Sequence, residues 1–400
     1  MLLLRVRATT HFKVPRQANE LSGAVARSLG DAAVVKWSFV TPSQSKPFLQ
    51  HSANLDLMRA FAVTCVLVHH LALTLHAHLG LLPLWTLDHF RALGHAGVLM
   101  FFVHTSMVLM ESLDRLEASE ARPTLVFYIR RLFRIYPLAI VAILIALMFH
   151  VPSKTWDIPD PVTPRIIATN LLLIQNLIGK KQILGPLWSL PYEVQMYVVL
   201  PLLHWVALRR AGLRNLLLLY GLFCAVGFEM LRYTEHLNMF AYIPCFLCGV
   251  LCYRLSRQWQ QRFSGVVWLP FLLLAIAAFI VPIRFGEEPR TWAGWLFCMC
   301  LALVIPAVRD VRLRWLQVAG QKVAQYSFGV YLFHPVALWL AFVCLPLGSV
   351  LLRLLLFVLL TTIFSVAGYH LVELPFIQIG KRFRFTPGGS LRLQNSPGRA

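Results

Sequence analysis

Ten runs of mainly apolar residues, near 57–79, 95–111, 134–151, 187–208, 214–232, 239–253, 264–282, 291–308, 326–346 and 350–372, limit what this chain can fold into. A helix needs about 20 such residues to cross a bilayer core. The runs therefore predict an all-α, polytopic membrane protein with about ten transmembrane helices. An eleventh run at 165–178, RIIATNLLLIQNLI, is shorter and carries Asn170, Gln175 and Asn176. It reads as a re-entrant or interfacial half-helix. Composition agrees: 58% of residues are hydrophobic and 14% charged, against about 25% charged in soluble domains. A soluble enzyme, a disordered tail protein and a secreted disulfide scaffold are excluded.

The remaining charge is lopsided, with 37 Lys and Arg against 17 Asp and Glu and a net charge of +20. The cations punctuate apolar runs instead of clustering on polar segments, which argues against a nucleic-acid partner. Suppose the amino terminus lies inside, the ten runs cross, and 165–178 does not. Then 28 of the 37 Lys and Arg fall on the inner side, leaving Arg91, Lys154, Arg165, Lys180, Lys181, Arg232, Arg284, Arg290 and Arg353 outside. If 165–178 crossed as well, RRAGLR (209–214) and RLSRQWQQR (254–262) would change sides and blur the bias. The positive-inside rule thus favours both termini in the cytoplasm. Residues 1–54 read as a flexible cytoplasmic arm, or as the product of a start codon set too far upstream. The opening Met-Leu-Leu-Leu is too short for a signal-peptide core. Residues 55–376 form the membrane domain, and 377–400 a basic cytoplasmic tail.

Ionisable groups inside apolar spans are costly, so each is a functional candidate. In LDLMRAFAVTCVLVHHL, Arg59 and His70 are eleven residues apart. On a helix they share a face, about 16 Å apart along the axis. Arg59 falls at the cytoplasmic mouth and His70 deep in the bilayer, where an imidazole can move a proton. Inert packing is the alternative. In FYIRRLFRIYP (127–137), Arg131 and Arg134 are i, i+3 neighbours. Their guanidinium forks suit the phosphates of a nucleotide or coenzyme A, although membrane anchoring also uses such arginines. In LGPLWSLPYEVQMYVVLPLL (184–203), Glu193 follows Trp188-Ser189-Leu190 near the outer end of its span. A carboxylate there pairs with a base or binds a hydroxyl-bearing substrate. YSFGVYLFHP (326–335) puts His334 at mid-depth, with structural packing the simpler role. FFVHTSMVLM (101–110) adds His104 and Ser106, a small polar group of the kind that joins helices.

Seven of the fourteen histidines lie between His69 and His104, without the spacing of a metal site. Cys245, Cys248 and Cys252 fall at i, i+3, i+7 in an apolar run and read as packing residues. No metal is expected.

Taken in order, LDLMR with its later His70, FFVHTS, FYIRRLFRIYP, LWSLPYE and YSFGVYLFHP resemble the acyltransferase-3 family of membrane O-acyltransferases over about residues 54–376. The resemblance implies a ten-helix enzyme that takes acyl groups, usually acetyl, from cytoplasmic acyl-CoA as co-substrate, with no resident cofactor. The acceptor it implies is a hydroxyl of a glycan, a lipid-linked saccharide or a related molecule, at the bacterial inner membrane. Carried over by motif, His70, Arg59 and Glu193 are the expected catalytic set, and Arg131 and Arg134 the donor-binding pair. Trp188, Ser189, Ser106, Tyr331 and His334 are expected to support substrate or structure. The chain departs from the family pattern where glycines are replaced by Leu57 and Ala60, and where a Ser-Gly pair becomes Ser106-Met107. These changes are expected to loosen helix packing. No esterase-like domain follows the last span, so the acceptor would meet the membrane domain directly. A transporter or flippase of a glycan intermediate, its path lined by Arg and His, is the reading from another class.

Overall fold

The computed structural model describes residues 52–153, 162–179, 181–233, 239–283, 290–345, 348–385 and 391–393. The chain divides into two units, Met1–Lys46 and Pro47–Ala400. Residues 1–51, which carry nearly all of the expected arm, and 386–390 and 394–400 of the tail lie outside the described residues.

In hydrocarbon each segment must satisfy its own backbone polar groups, so apolar runs become helices. They are α1 (Ala53–Leu79), α2 (Leu84–Ser119), α3 (Pro123–Met148), α4 (Pro164–Leu171), α5 (Leu190–Leu208), α6 (Gly212–Tyr233), α7 (Met239–Ser256), α8 (Trp268–Ile280), α9 (Thr291–Val304), α10 (Arg314–Trp339), α11 (Val350–Gly368) and α12 (Leu374–Arg382). The short strands Phe383–Phe385 and Leu391–Leu393 pair antiparallel. Boundaries fall where local chemistry sets them. Gly80, in the left-handed region at φ 62°, ends α1 and returns its N–H to the His76 carbonyl. Proline opens α3 and α4, and the Thr163 hydroxyl caps α4.

Among the described residues, seven helices are long and apolar enough to cross a membrane. Three further expected spans form helices that miss that standard for identifiable reasons. Helix α5 carries Glu193, Gln195 and His204 within 19 residues. Helices α8 and α9 have 13 and 14 residues, about 20 Å of rise each. The run at 165–178 does not form a span. Its helix stops at Leu171, and Leu173 turns the chain at φ 55°. The buried Asn170 then fastens the following loop, donating to the Ile166 and Lys181 carbonyls at 2.9 Å and accepting from the Ile183 N–H at 3.0 Å. Gln175 donates to the Leu187 carbonyl at 2.9 Å, holding the turn that leads into α5.

Helix α1 packs between α2 and α10, and α2 packs against α7. At Leu57 and at Ser106-Met107 the expected loosening does not occur, because the missing space is supplied by the partner helix. Leu57 lies against Gly320 of α10, where an added methyl would come within 2.9 Å of its Cδ2. Ser106 lies against Gly249 of α7, where an added methyl would meet its Cβ at 2.6 Å. Leu57, Ser106 and Met107 are all buried. One contact surface needs one small residue, and either helix can provide it.

The start of α1 is latched to the segment before α10. The Asn54 amide donates to the Arg309 carbonyl and accepts from the Val311 N–H, both at 3.0 Å, while its own carbonyl accepts from the Trp268 indole at 3.1 Å. Asp310 accepts from the Ser52 hydroxyl at 2.6 Å and the Asn54 N–H at 3.2 Å. Replacing Asn54 by leucine strands one buried N–H and one carbonyl, at about 1–3 kcal/mol each. The variant is expected to melt clearly below the wild type in detergent; an unchanged midpoint would show that the latch adds no stability.

Candidate functional site

Helices α1, α2, α3, α5 and α10, with the turn before α5, surround a cavity of about 110 Å³. Its polar wall consists of Arg59, His104, Thr105, Arg131, Arg134, Ser189, Glu193, Tyr197, Ser327 and Tyr331. The structure thus brings together Arg59, Arg131, Arg134, Glu193, Ser189 and Tyr331 from separate motifs.

Helix geometry explains the division of labour on α3. Arg131 and Arg134 are three residues apart and face the cavity together. Arg130 turns away and binds Glu120 at 3.1 Å. Arg134 forms an ion pair with Glu373, whose side chain is fully buried. Arg131 lies over the Phe127 ring at 6.0 Å, and its buried Nε has no hydrogen-bond partner among the described residues. Arg59 makes no ion pair within 4 Å among them. Two of the three guanidinium groups are therefore uncommitted to a carboxylate contact, in a wall that also holds Glu193.

Glu193 faces the cavity from the first turn of α5. Tyr197, four residues on and so on the same face, donates its hydroxyl to Glu193 Oε1 at 2.5 Å. Thr105 lines the same cavity, and Arg59 and Arg131 act on the carboxylate through charge. The Tyr197 hydrogen bond holds the carboxylate in place while the cations attract it, so its orientation is set before any substrate arrives.

His70 and His334 do not line this cavity. Their rings lie 4.8 Å apart, centroid to centroid, at 57°. Tyr331 joins the two places: it lines the cavity, and its ring centroid is 6.4 Å from that of His334. Its hydroxyl contacts the Ser189 hydroxyl at 2.7 Å and donates to the Pro186 carbonyl at 3.0 Å. His70 Nδ1 is 3.0 Å from the Val66 carbonyl. A carbonyl only accepts, so Nδ1 carries the hydrogen and Nε2 the lone pair. That nitrogen faces the turn before α5, where a methyl on Gly185 would lie 3.9 Å from it.

Two expected supporters fall elsewhere. Ser106 is fully buried against α7 and gives its hydroxyl to the Phe102 carbonyl at 2.8 Å, one turn back. It is a packing residue, since a serine inside an apolar helix satisfies itself in this way. Trp188 is adjacent in sequence to Ser189 but joins an aromatic cluster, with ring centroids 5.6 Å from Tyr242 and 6.1 Å from both His95 and Tyr192. Cys245, Cys248 and Cys252 are buried in α7. Among the described residues no group of three or more His, Cys, Asp or Glu is arranged to hold a metal.

The sequence reading missed Tyr197, Thr105 and Glu373. Tyr197 had a usable signal, its i+4 relation to Glu193 in PYEVQMY. Thr105 follows His104 in a motif already singled out. Glu373, far along the chain, had none.

A family model described as an acyltransferase domain matches residues 52–370. No curated protein and no solved structure matches the chain.

Proposed function

The chain belongs to the acyltransferase-3 family, and from that premise we propose that this membrane acyltransferase moves an acetyl group from cytoplasmic acetyl-CoA to a hydroxyl of a glycan or lipid-linked saccharide. The observation that carries the reading is the joining of one arginine-rich cavity to a histidine pair through Tyr331. Arg59 and Arg131 offer guanidinium forks to a phosphorylated donor, with Arg134 held beside them by Glu373. Glu193, oriented by Tyr197, would accept a hydrogen bond from an acceptor hydroxyl.

In this reading His70 is the general base. Its Nε2 lone pair takes the hydroxyl proton as oxygen attacks the thioester carbonyl, and the carbon–sulfur bond then breaks to release the coenzyme A thiol. Acyl-CoA is a co-substrate and not a resident group. The charge bias of the loops supports a cytoplasmic donor side and both termini in the cytoplasm, and the family resemblance makes the bacterial inner membrane the expected location. Purified protein in liposomes, given acetyl-CoA and saccharide acceptor, is expected to release free thiol in step with acetylated acceptor. Movement of acceptor across the bilayer with no thiol released would overturn the enzyme reading in favour of a flippase.

A further inference from the structure

Two histidines from different helices meet with the same wiring. His70 of α1 directs Nδ1 to the Val66 carbonyl at 3.0 Å, and His334 of α10 directs Nδ1 to the Val330 carbonyl at 3.1 Å. Each carbonyl lies four residues back on its own helix. Both Nδ1 atoms must therefore carry hydrogen, and both Nε2 atoms are bare lone pairs. The rings are in contact, but two lone pairs cannot hydrogen-bond to each other. His334 is completely buried, and its Nε2 has no partner among the described residues. An unmet buried polar atom destabilises the fold, and a leucine or phenylalanine would avoid it. Packing alone does not account for an imidazole at this position.

A single added proton changes the pair. With one Nε2 protonated, the N–H can donate to the other Nε2, and both rings are then satisfied. We propose that His334 is the positioning partner of His70, the two Nε2 atoms together holding the one proton in transit during acyl transfer. The inference rests on the acetyl-CoA reading above. The acceptor hydroxyl gives its proton to His70 Nε2 as its oxygen bonds to the thioester carbon. While the tetrahedral adduct exists, the protonated His70 Nε2 donates to His334 Nε2. The carbon–sulfur bond breaks, the leaving sulfur takes the proton, and ester and free thiol result. One water bridging the two Nε2 atoms closes the gap without disturbing either Nδ1 contact. The other titratable neighbours are His69, whose ring centroid is 4.4 Å from that of His70, and Tyr331, already engaged by Ser189 and Pro186.

The test separates the two nitrogens of His334. Asparagine places an amide N–H near the Nδ1 position and keeps the Val330 contact, but has nothing at Nε2. Glutamine reaches the Nε2 position with a group that can accept a hydrogen bond. Thiol release by His334→Asn is expected to show kcat lower by about a hundredfold with KM for acetyl-CoA unchanged, and His334→Gln is expected to recover part of the loss. Wild-type kcat retained by His334→Asn would overturn the proposal, because a merely structural histidine is replaced by that variant. If neither variant folds, ¹⁵N-histidine NMR of the wild type decides. On acidification one added proton is expected to shift the Nε2 resonances of His70 and His334 together, and a shift confined to His70 overturns the pair. Absence of thiol release by the wild type would instead strike the acetyl-CoA reading itself.

Discussion

His70→Gln is expected to lower turnover by about 10²–10⁴-fold, the range for loss of a general base, while leaving KM for acetyl-CoA close to its starting value. Three structural facts fix this expectation. The Val66 carbonyl pins Nδ1, so Nε2 is the nitrogen with a free lone pair. The ring faces the turn before α5 and does not line the arginine-rich cavity. In the proposed mechanism donor binding and proton removal therefore fall to different residues, and a change at His70 is expected to act on kcat. Glutamine keeps much of the length and polarity of histidine but cannot take a proton. His69→Gln is the control. It changes the neighbouring imidazole on α1 without touching the His70 contacts to Val66 or His334, so a smaller loss is expected. Steady-state thiol release with monodisperse protein is the measurement. Full turnover by His70→Gln would remove His70 from the chemistry.

The parts legible in the sequence were those that hydrocarbon makes expensive. Arg59, His70, Arg131, Arg134 and Glu193 stood out because an ionisable group in an apolar run needs a reason. Helical periodicity then placed Arg131 beside Arg134. Long helices were legible for the same reason, whereas α8 and α9 fall short because hydropathy marks an apolar run and not its helical extent. Ser106 was read as support for substrate or structure, and it packs: a hydroxyl in an apolar helix can satisfy itself on the carbonyl one turn back, and sequence does not distinguish that from a working serine. Contacts across long stretches of chain were invisible. Asn54 reaches Arg309 and Val311, and nothing local to either segment announces the pairing. Glycine substitutions were misread for a related reason, since Gly249 and Gly320 supply their space from the opposite helix.

Glu373 shows how far local geometry can hide a residue, and it carries the largest stability effect expected in this chain. Helix α11 runs into a π-helical turn, Tyr369–Glu373, before α12 continues. Such a turn inserts extra backbone and rotates the next helical segment, so a plain 3.6-residue projection does not predict the face on which Glu373 falls. In the folded chain it meets Arg134 of α3. Its side chain is fully buried, and Oε2 has no partner among the described residues, so Arg134 provides the only ion pair that compensates it there. Removing one member of a buried pair strands the other and typically costs about 3–5 kcal/mol, whereas replacing both by apolar residues is often neutral. Arg134 keeps 22% of its side-chain surface exposed, which places Glu373→Ala near the lower end of that range. The single variant is expected to melt well below the wild type, and the double variant Arg134→Leu with Glu373→Leu to regain most of the loss. If Arg134 also serves the donor, the stable double variant should still release thiol slowly, with a raised KM for acetyl-CoA. Recovery of both stability and wild-type KM would make the pair purely structural, leaving Arg59 and Arg131 as the guanidinium groups facing the donor.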